Sequence, residues 1–256
     1  MAYTKLIPRH SPGAKVEEIS RGEKYKLSIP AGTATQYRLA QLDDYTKIAR
    51  NNFPLQPPLT LSIQARVSSD NIPGTWGFGL WNDPFGLSLG FGGNQFRLPA
   101  LPNAIWFFGA SRESYLSFSG RTGDAVSRPP ANGFIAQTFR SPKFHPSLIL
   151  AGLSLPFSRK FTRRILGEII GEDGIRLSVD VTQWHRYKLE WREEQVSFEV
   201  DNNQVFESHI SPHPPLGLVI WIDNQFAAFT PEGKIGFGVL ENPEPAWLEI
   251  DEVIVS

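Results

Sequence analysis

The sequence predicts an all-β protein, an antiparallel two-sheet sandwich of jelly-roll type. Two observations favour this fold: apolar and polar residues alternate in short runs, and glycine (22), proline (21) and phenylalanine (18) are plentiful. Alternation is typical of a strand with one buried face, and turn residues separate neighbouring strands. Because no βαβ alternation, internal repeat or linker is visible, residues 1–256 are expected to form a single domain.

The predicted strands follow one another along most of the chain. They cover residues 24–29, 35–40, 59–69, 74–83, 103–111, 114–120, 133–140, 187–192, 196–200, 204–208, 216–224, 233–240 and 247–255. In the run that contains Leu61, Ser62 and Ile63, apolar residues share one face of the strand and polar residues the other. Asn202-Asn203 is predicted to form a hairpin turn, since asparagine adopts positive φ at little cost.

Residues 141–180 do not follow the strand pattern and are expected to be an insertion. Within them, 158–170 place three apolar residues at helical spacing among four basic ones: Phe161, Ile165 and Ile169, with Arg159, Lys160, Arg163 and Arg164. A helix packed on the sandwich is the favoured interpretation. The alternative is a basic amphipathic helix that contacts a membrane or a protein partner.

Composition and charge exclude several classes of function. The formal net charge of −1 provides no basic surface for a phosphate backbone, so nucleic acid is not an expected partner. Without cysteine there are no disulfides, thiolate zinc sites or thiol nucleophiles. The first residues have no apolar run of signal-peptide length, so the sequence as given is expected to be cytoplasmic; an extracellular chain trimmed of its leader would look the same.

Several segments resemble the laminarinase-type glycoside hydrolases of family 16, within the concanavalin A-like lectin/glucanase superfamily. "WHRYKLEWREEQVSFEVDNNQVF" is similar to the family's Trp/Phe-His-x-Tyr-x-x-x-Trp strand and the hairpin after it. The matching positions are Trp184, His185, Tyr187, Trp191, Val200 and Asp201. "GTWGFGLW" is similar to a tryptophan-rich strand of the family, with Gly77 in place of a proline, and "SPHPPLGLVIWIDNQF" to a proline-flanked strand. The resemblance covers roughly residues 60–110 and 184–256, and its motifs specify a fold rather than a chemistry.

The catalytic strand of that family reads Glu-x-Asp-x-Glu or Glu-x-Asp-x-x-Glu and lies in mid-chain. Glu249 and Asp251 have the first spacing, but Val253 and Ile254 stand where a third acid would follow, and this run resembles the family's closing strand instead. At the expected position, "NAIWFFGASRES" contains no Glu-x-Asp. Because glycoside hydrolysis needs two placed carboxyl groups, family-type catalysis is not expected.

A carbohydrate-binding protein, with an oligo- or polysaccharide as its ligand, is therefore the preferred interpretation. Sugars are held by aromatic faces and by side chains that hydrogen-bond their hydroxyl groups. The candidate binding residues lie opposite to the core positions of their strands or at strand ends: Trp81, Asn82, Asp83, Trp106, Arg112, Trp221, Asp223, Asn224 and Gln225. For any single tryptophan, packing in a core is the competing interpretation.

The alternative is a glycoside hydrolase with a rearranged carboxylate pair. Its candidate acids are Asp83, Glu113, Glu190 and Asp223. A retaining pair would need its carboxyl groups about 5 Å apart, and an inverting pair somewhat more.

No cofactor is expected, apart from a structural calcium that the resemblance implies. In the resembling glucanases the aspartate of the closing strand is a calcium ligand, which makes Asp251 the calcium candidate. The competing interpretation is an aspartate that accepts backbone N–H bonds at the start of a strand. Asp251 is expected on the same face as Val253 and Val255, at the edge of the core, whereas Glu249 and Glu252 are expected in solvent.

Overall fold

The structure is a computed structural model that describes residues 6–20, 22–84, 97, 100–118, 131–143 and 158–256. In chain order, its strands are β1 (Ile7–His10), β2 (Lys15–Ser20), β3 (Lys24–Ile29), β4 (Leu39–Asp43), β5 (Leu59–Val67), β6 (Thr75–Trp81), β7 (Ala104–Ala110), β8 (Gly133–Arg140), β9 (Gly171–Arg176), β10 (His185–Trp191), β11 (Val196–Val200), β12 (Asn203–Ser208), β13 (Gly217–Asp223), β14 (Gln225–Phe229), β15 (Ile235–Val239) and β16 (Ala246–Val255). The helix α1 (Arg159–Ile169) lies between β8 and β9, and a 3-10 turn covers Arg50–Asn52.

The strands form two large antiparallel sheets that pack face to face. The first sheet has the order β1-β4-β13-β6-β7-β8-β9, and the second has the order β12-β11-β10-β5-β16-β3-β2. Strands β14 and β15 form a separate hairpin. Because the chain passes repeatedly from one sheet to the other, the arrangement is a jelly-roll sandwich. The predicted fold class is confirmed.

The alternating runs place their apolar side chains between the two sheets. In β5 every second residue from Leu59 to Val67 is buried, and Leu218, Ile220 and Ile222 of β13 belong to the same core. Burial of one large apolar side chain contributes about 1.5–3 kcal/mol, so this layer is the main source of stability. The period of two therefore predicts both the strands and their inward faces.

The first sheet is also apolar on the face turned away from the second sheet. A second cluster of buried residues covers that face: Leu39, Tyr45, Phe53, Ala104, Trp106, Phe108, Ile135, Phe139, Ile170, Val219 and Trp221. All seven residues of β13 are buried, as expected for a strand that is covered on both sides. The candidate site lies in this second cluster.

Some strands differ from the prediction, mainly at the sheet edges. The sequence does not predict β1, β2, β9 or β14. Strand β2 is almost wholly exposed, so it has no apolar alternation to read, and β9 lies inside the expected insertion 141–180, where it pairs with β8. The strand predicted at 35–40 begins only at Leu39. Of the strand predicted at 114–120, the described residues form an isolated bridge at Tyr115, and residues 119 and 120 lie outside the described part.

The closing strand β16 contains an irregularity that changes the predicted faces. Its register against β5 shifts between Asp251 and Ile254, and Glu252 has a φ of 50°. The extra residue reverses the alternation, so that Ile250 and Val253 both face the core while Asp251 faces outward. The expectation that Asp251 shares a face with Val253 is therefore wrong.

The hairpin between β11 and β12 turns one residue earlier than predicted. Asp201 and Asn202 have positive φ (50° and 65°), and Asn203 already belongs to β12. The Asp201 carboxylate accepts a hydrogen bond from the backbone N–H of Arg186 (2.9 Å) and contacts Nδ1 of His185 (2.6 Å), so tertiary contacts favour the turn at Asp201.

Candidate functional site

Three tryptophans meet on the outer face of the first sheet, which we call the tryptophan face: Trp81, Trp106 and Trp221. The ring planes of Trp81 and Trp221 are 3° from parallel with centroids 6.1 Å apart. The Trp106 ring lies 6.1 Å from Trp81 and 5.8 Å from Trp221. These separations are typical of favourable aromatic contacts. The prediction that the three indoles lie opposite to the core positions is confirmed.

A glycine in β6 makes room for this arrangement. Gly77 lies opposite Trp221 in the neighbouring strand, and a Cβ atom at Gly77 would lie 2.9 Å from Cη2 of Trp221. That distance is too short for two carbon atoms, so a larger residue would displace the indole. Gly77 therefore has a packing role.

Two of the three indoles are core residues rather than open binding surfaces. Trp106 and Trp221 are 4% and 6% exposed. Nε1 of Trp106 donates to Oε1 of Gln137 (3.2 Å), and Nε1 of Trp221 donates to Oγ1 of Thr75 (3.0 Å). Trp81 is half-buried, so it is the tryptophan of this face that a ligand could contact.

Asp83 is held in a buried ion pair just after the end of β6. Its Oδ2 lies 2.5 Å from Nη1 of Arg97, and the two side chains are 5% and 8% exposed. The Arg97 guanidinium also donates to the carbonyls of Tyr45 and Ile48 (both 2.5 Å) and lies over the Phe53 ring at 4.9 Å. The Asp83 carboxylate thus anchors Arg97, and it is not free to bind a sugar hydroxyl.

Asp223 is buried at the end of β13 and is enclosed by hydrogen-bond donors. Oδ1 accepts from the backbone N–H of Thr75 (3.2 Å), the Thr75 hydroxyl (2.8 Å) and the backbone N–H of Gln225 (3.1 Å), while Oδ2 accepts from the Tyr37 hydroxyl (3.2 Å). Burial raises the pKa of Asp223 to about 6, although these hydrogen bonds act to lower it. The carboxyl group supports the backbone at this end of the sheet.

This raised pKa predicts a pH dependence of stability that Asp223→Asn should remove. A carboxyl with a pKa of about 6 in the folded state and an ordinary value of 3.8 in the unfolded state binds its proton more tightly when folded. Its contribution is present below about pH 4 and is lost as the pH rises through about 6. We expect Asp223→Asn to increase the unfolding free energy at pH 7 by about 1–3 kcal/mol and to leave it unchanged near pH 3. Urea unfolding of both proteins from pH 3 to pH 7 measures the difference, and a lower stability of the variant at pH 7 would contradict the assignment.

The polar residues at the strand ends have structural partners in two of three cases. Asn82 is buried, and its amide donates to the Leu101 carbonyl (2.9 Å) and accepts from the Asn103 N–H (3.0 Å). The buried Asn224 side chain donates to the carbonyls of Gln36 and Leu240. Gln225 is half-buried. Asn82 and Asn224 therefore have structural roles in the adjoining loops, and their binding of a ligand stays a prediction.

The remaining candidate acids, Glu113 and Glu190, both contact neighbouring cations. Glu113 pairs with the neighbouring Arg112 at 3.1 Å, and the Arg112 side chain is 93% exposed. Glu190 lies on the outer side of the second sheet, where its carboxylate contacts Lys188 (2.6 Å) and Arg192 (3.3 Å). The hydrogen bond from Lys188 lowers the pKa of Glu190. Both carboxylates thus take part in surface ion pairs.

Asp83 and Asp223 are too far apart to form a catalytic pair. In the register of β6 and β13, Trp81 lies opposite Gly217 and Thr75 lies opposite Asp223. Asp83, which follows Trp81, is thus separated from Asp223 by more than six residue rises, or roughly 20 Å. Glycosidases need their two carboxyl groups about 5–10 Å apart. In addition, β7 presents Ala104, Trp106 and Phe108 on the tryptophan face, so this strand supplies no carboxylate there.

The helix α1 is packed on the tryptophan-face side of the sandwich, as the favoured interpretation predicts. Leu166 and the following Ile170 join the second cluster. Arg163 is only 3% exposed and donates to the Ser117 carbonyl at 2.9 Å, although the sequence places it among exposed basic residues. Phe161, expected on the packed side, is 45% exposed. Contact of α1 with a membrane or a protein stays a prediction; among the described residues, no helix is long and apolar enough to cross a membrane.

The surroundings of Asp251 do not fit a calcium site. Its Oδ2 lies 3.7 Å from Nζ of Lys24, and its Oδ1 accepts the backbone N–H of Glu252 (2.9 Å). Calcium needs six to eight oxygen ligands, and the described residues contain no group of three acidic or histidine side chains that could hold a metal. The calcium assignment stays a prediction from the resemblance alone. Glu249, expected in solvent, is buried and pairs with Arg66 (2.8 Å) and Lys26 (3.3 Å).

Sequence reasoning missed the residues that hold the tryptophan face in place. Gln137 and Thr75 accept the indole N–H bonds, and Arg97 fixes Asp83. Gln137 and Thr75 lie on the same face of the sheet as the indoles, so the alternation of side chains along β8 and β6 could have identified them. No sequence signal indicates Arg97, because its partners are distant in the chain.

Comparison with solved structures gives similar folds at low sequence identity. LamAcat from Zobellia galactanivorans has a TM-score of 0.49 and 18% identity, covering 92% of this chain and 78% of that chain. A glycoside hydrolase family protein from Mycobacterium thermorestibile has a TM-score of 0.49 and 12% identity, covering 99% and 93%. The Bacillus licheniformis β-glucanase has a TM-score of 0.48 and 11% identity, covering 98% and 92%. No model of a protein family and no curated protein sequence matches the chain.

Proposed function

We propose that the protein binds an oligo- or polysaccharide at the rim of the tryptophan face and does not hydrolyse it. The observation that carries the proposal is the position of Trp81, which is half-buried and stacked parallel to the buried Trp221. An indole fixed in this way is a rigid apolar surface of the kind that covers the C–H face of a sugar ring.

The support around Trp81 favours a rigid binding surface. Tyr45 contacts Trp81 edge-on with ring centroids 6.0 Å apart, and Trp106 packs beside it. Since these neighbours are buried, Trp81 loses little conformational freedom when a ligand binds. The half-buried Gln225 and the exposed Arg112 could donate hydrogen bonds to hydroxyl groups, but they lie toward the opposite ends of β13 and β7, roughly 20 Å away along the strands.

We base the proposed absence of hydrolysis on the positions and burial of the candidate acids. Asp83 and Asp223 are both buried in structural roles at opposite ends of adjacent strands, and Glu190 belongs to the other sheet. A hydrolase would need one carboxyl group as general acid and a second as nucleophile or base on the same sugar. Asp83 and Asp223 are too far apart to provide this pair.

We expect Trp81→Ala to weaken binding of soluble β-1,3- and mixed-linkage β-glucans at least tenfold. Loss of one well-placed aromatic contact of about 1.4 kcal/mol or more gives that factor. Affinity electrophoresis or calorimetry with a panel of neutral and charged polysaccharides measures it. Trp247→Ala is the matched control, because Trp247 is a half-buried indole on the outer side of the second sheet.

Three results of this experiment would count against the proposal. If the wild-type protein binds none of the polysaccharides, or if Trp81→Ala binds as well as Trp247→Ala, the tryptophan face is not a sugar site. If new reducing ends accumulate during incubation, the protein is a hydrolase. In that case Asp83→Asn and Asp223→Asn would test the rearranged pair, with folding of each variant checked first.

A further inference from the structure

We propose that a polar depression at one edge of the sandwich binds a small oxyanion such as phosphate, sulfate or the carboxylate of a sugar acid. The depression has a volume of about 260 Å³ and shares no lining residue with the tryptophan face. Its walls come from the end of β8, the turn between β10 and β11, and two proline-containing loops: Gln56, Pro57, Arg140, Glu193, Ser211, Pro212, His213 and Pro214.

One cation that lines this depression, Arg140, and a second whose charge acts on the lining His213, Lys143, form no ion pair with a described carboxylate. Arg140 lines it and Lys143 follows three residues later; both side chains are exposed, and no described carboxylate lies within ion-pair distance of either. By contrast, Lys26 and Lys188 on the outer side of the second sheet are paired with Glu249 and Glu199. An arginine guanidinium presents a fork of N–H donors that matches the oxygens of an oxyanion.

His213 lines the same depression as Arg140, and its pKa depends on both cations. Burial, together with the charges of Arg140 and Lys143, lowers the pKa of His213 below its ordinary value of 6.5. The imidazole is therefore neutral at pH 7, with a ring N–H to donate, and a bound anion would favour its charged form. The exposed Gln56 amide provides a further donor in the same lining.

The size and the charges limit the ligand to a small one. At about 260 Å³, the depression is smaller than most sites for drug-sized ligands. Glu193 lines the same space and opposes an anion, so the charge of Arg140 is balanced within the lining, and Lys143, whose charge also acts on His213, supplies the excess positive charge. A single oxyanion group, alone or on one sugar ring, fits these limits.

The experiment is an NMR titration of His213 with sodium phosphate, sodium sulfate, D-glucuronate or D-glucose, at a constant ionic strength set with chloride. We expect the pKa of His213 to rise by about one unit at saturating anion, as it does when a charged partner comes within hydrogen-bond reach. Glucose should leave it unchanged. A response to phosphate and sulfate alone indicates a bare inorganic oxyanion, whereas a response to glucuronate as well indicates a sugar acid.

Variants separate binding from a general charge effect. Arg140→Gln should raise the pKa of His213 in the free protein, because it removes a neighbouring cation, and should abolish the further rise caused by the anion. Lys15→Gln, the same charge change on the exposed strand β2, should do neither. Glu193→Gln should tighten anion binding severalfold.

The proposal is overturned if phosphate and sulfate shift the His213 pKa no more than chloride does, or if Arg140→Gln responds as the wild type. Trp81→Ala should bind the anion normally, so failure of the sugar proposal is distinguishable.

Discussion

Asp83→Asn is expected to lower the unfolding free energy by about 3–5 kcal/mol, since it removes the charge that neutralises a buried arginine. The Arg97 side chain is 8% exposed and lies 2.5 Å from the Asp83 carboxylate. Asparagine keeps the volume, and it tolerates the positive φ of 48° at this position. The substitution also keeps the backbone carbonyl that accepts a hydrogen bond from Arg50 at 2.7 Å. The lost charge is therefore the main change, and urea unfolding at pH 7 measures its effect.

The double variant Asp83→Asn/Arg97→Met should recover part of this loss, because it no longer buries a charge without a partner. Glu113→Gln is the matched control. It removes an acid from an ion pair whose arginine side chain is 93% exposed, so its effect should stay within about 0.5 kcal/mol. If Asp83→Asn costs less than about 1 kcal/mol, the ion pair does not stabilise the folded protein as the geometry indicates.

This prediction changes how an activity assay on Asp83 variants is interpreted. The sequence places Asp83 two residues after Trp81, on the face where a sugar could bind, so it is a reasonable candidate acid. In the structure, loss of its charge disturbs a buried pair. A loss of binding or activity in Asp83→Asn would therefore report altered folding unless stability is measured in the same variant.

The fold could be predicted because period-two burial is a local property of each strand. Leu218, Ile220 and Ile222 face the core, and Trp221 faces the other way, as their spacing indicates. The bulge at Glu252 shows the limit of this reasoning. One inserted residue reverses the faces after it, and the sequence around Glu252 carries no glycine or proline to announce it.

The site could be predicted only in part. The alternation along a strand indicates on which face of the sheet a side chain lies, but not how exposed that face is. It correctly groups Trp81, Trp106 and Trp221, but burial of the last two depends on distant segments such as α1, whose Leu166 packs into the same cluster. The Arg163 side chain illustrates the same point. Helical spacing suggests an exposed cation, whereas the guanidinium is buried and donates hydrogen bonds to the carbonyls of Ser117 and Phe118.

Trp221→Ala is expected to lower the unfolding free energy by about 3–5 kcal/mol, the range for removal of a large buried aromatic side chain. The indole is 6% exposed, and its ring lies 5.5 Å from Phe108 and 5.8 Å from Trp106. Its removal would leave a cavity between these rings. It would also remove the donor to Thr75 Oγ1, which itself donates to the buried Asp223 carboxylate at 2.8 Å. The substitution is therefore expected to disturb the hydrogen bonds of Asp223 at the end of β13, as well as the packing of the rings.

The comparison of Trp221→Ala with Trp81→Ala separates packing from recognition on one face. Trp81 is half-buried, so its truncation exposes less core and should cost clearly less stability, while it removes the indole that a sugar could reach. Trp221→Phe should recover much of the packing of Trp221→Ala but not the hydrogen bond to Thr75. Urea unfolding followed by far-UV circular dichroism gives the order of stabilities. If Trp81→Ala were as damaging as Trp221→Ala, Trp81 would be a core residue, and the accessible surface on which the sugar proposal rests would not exist.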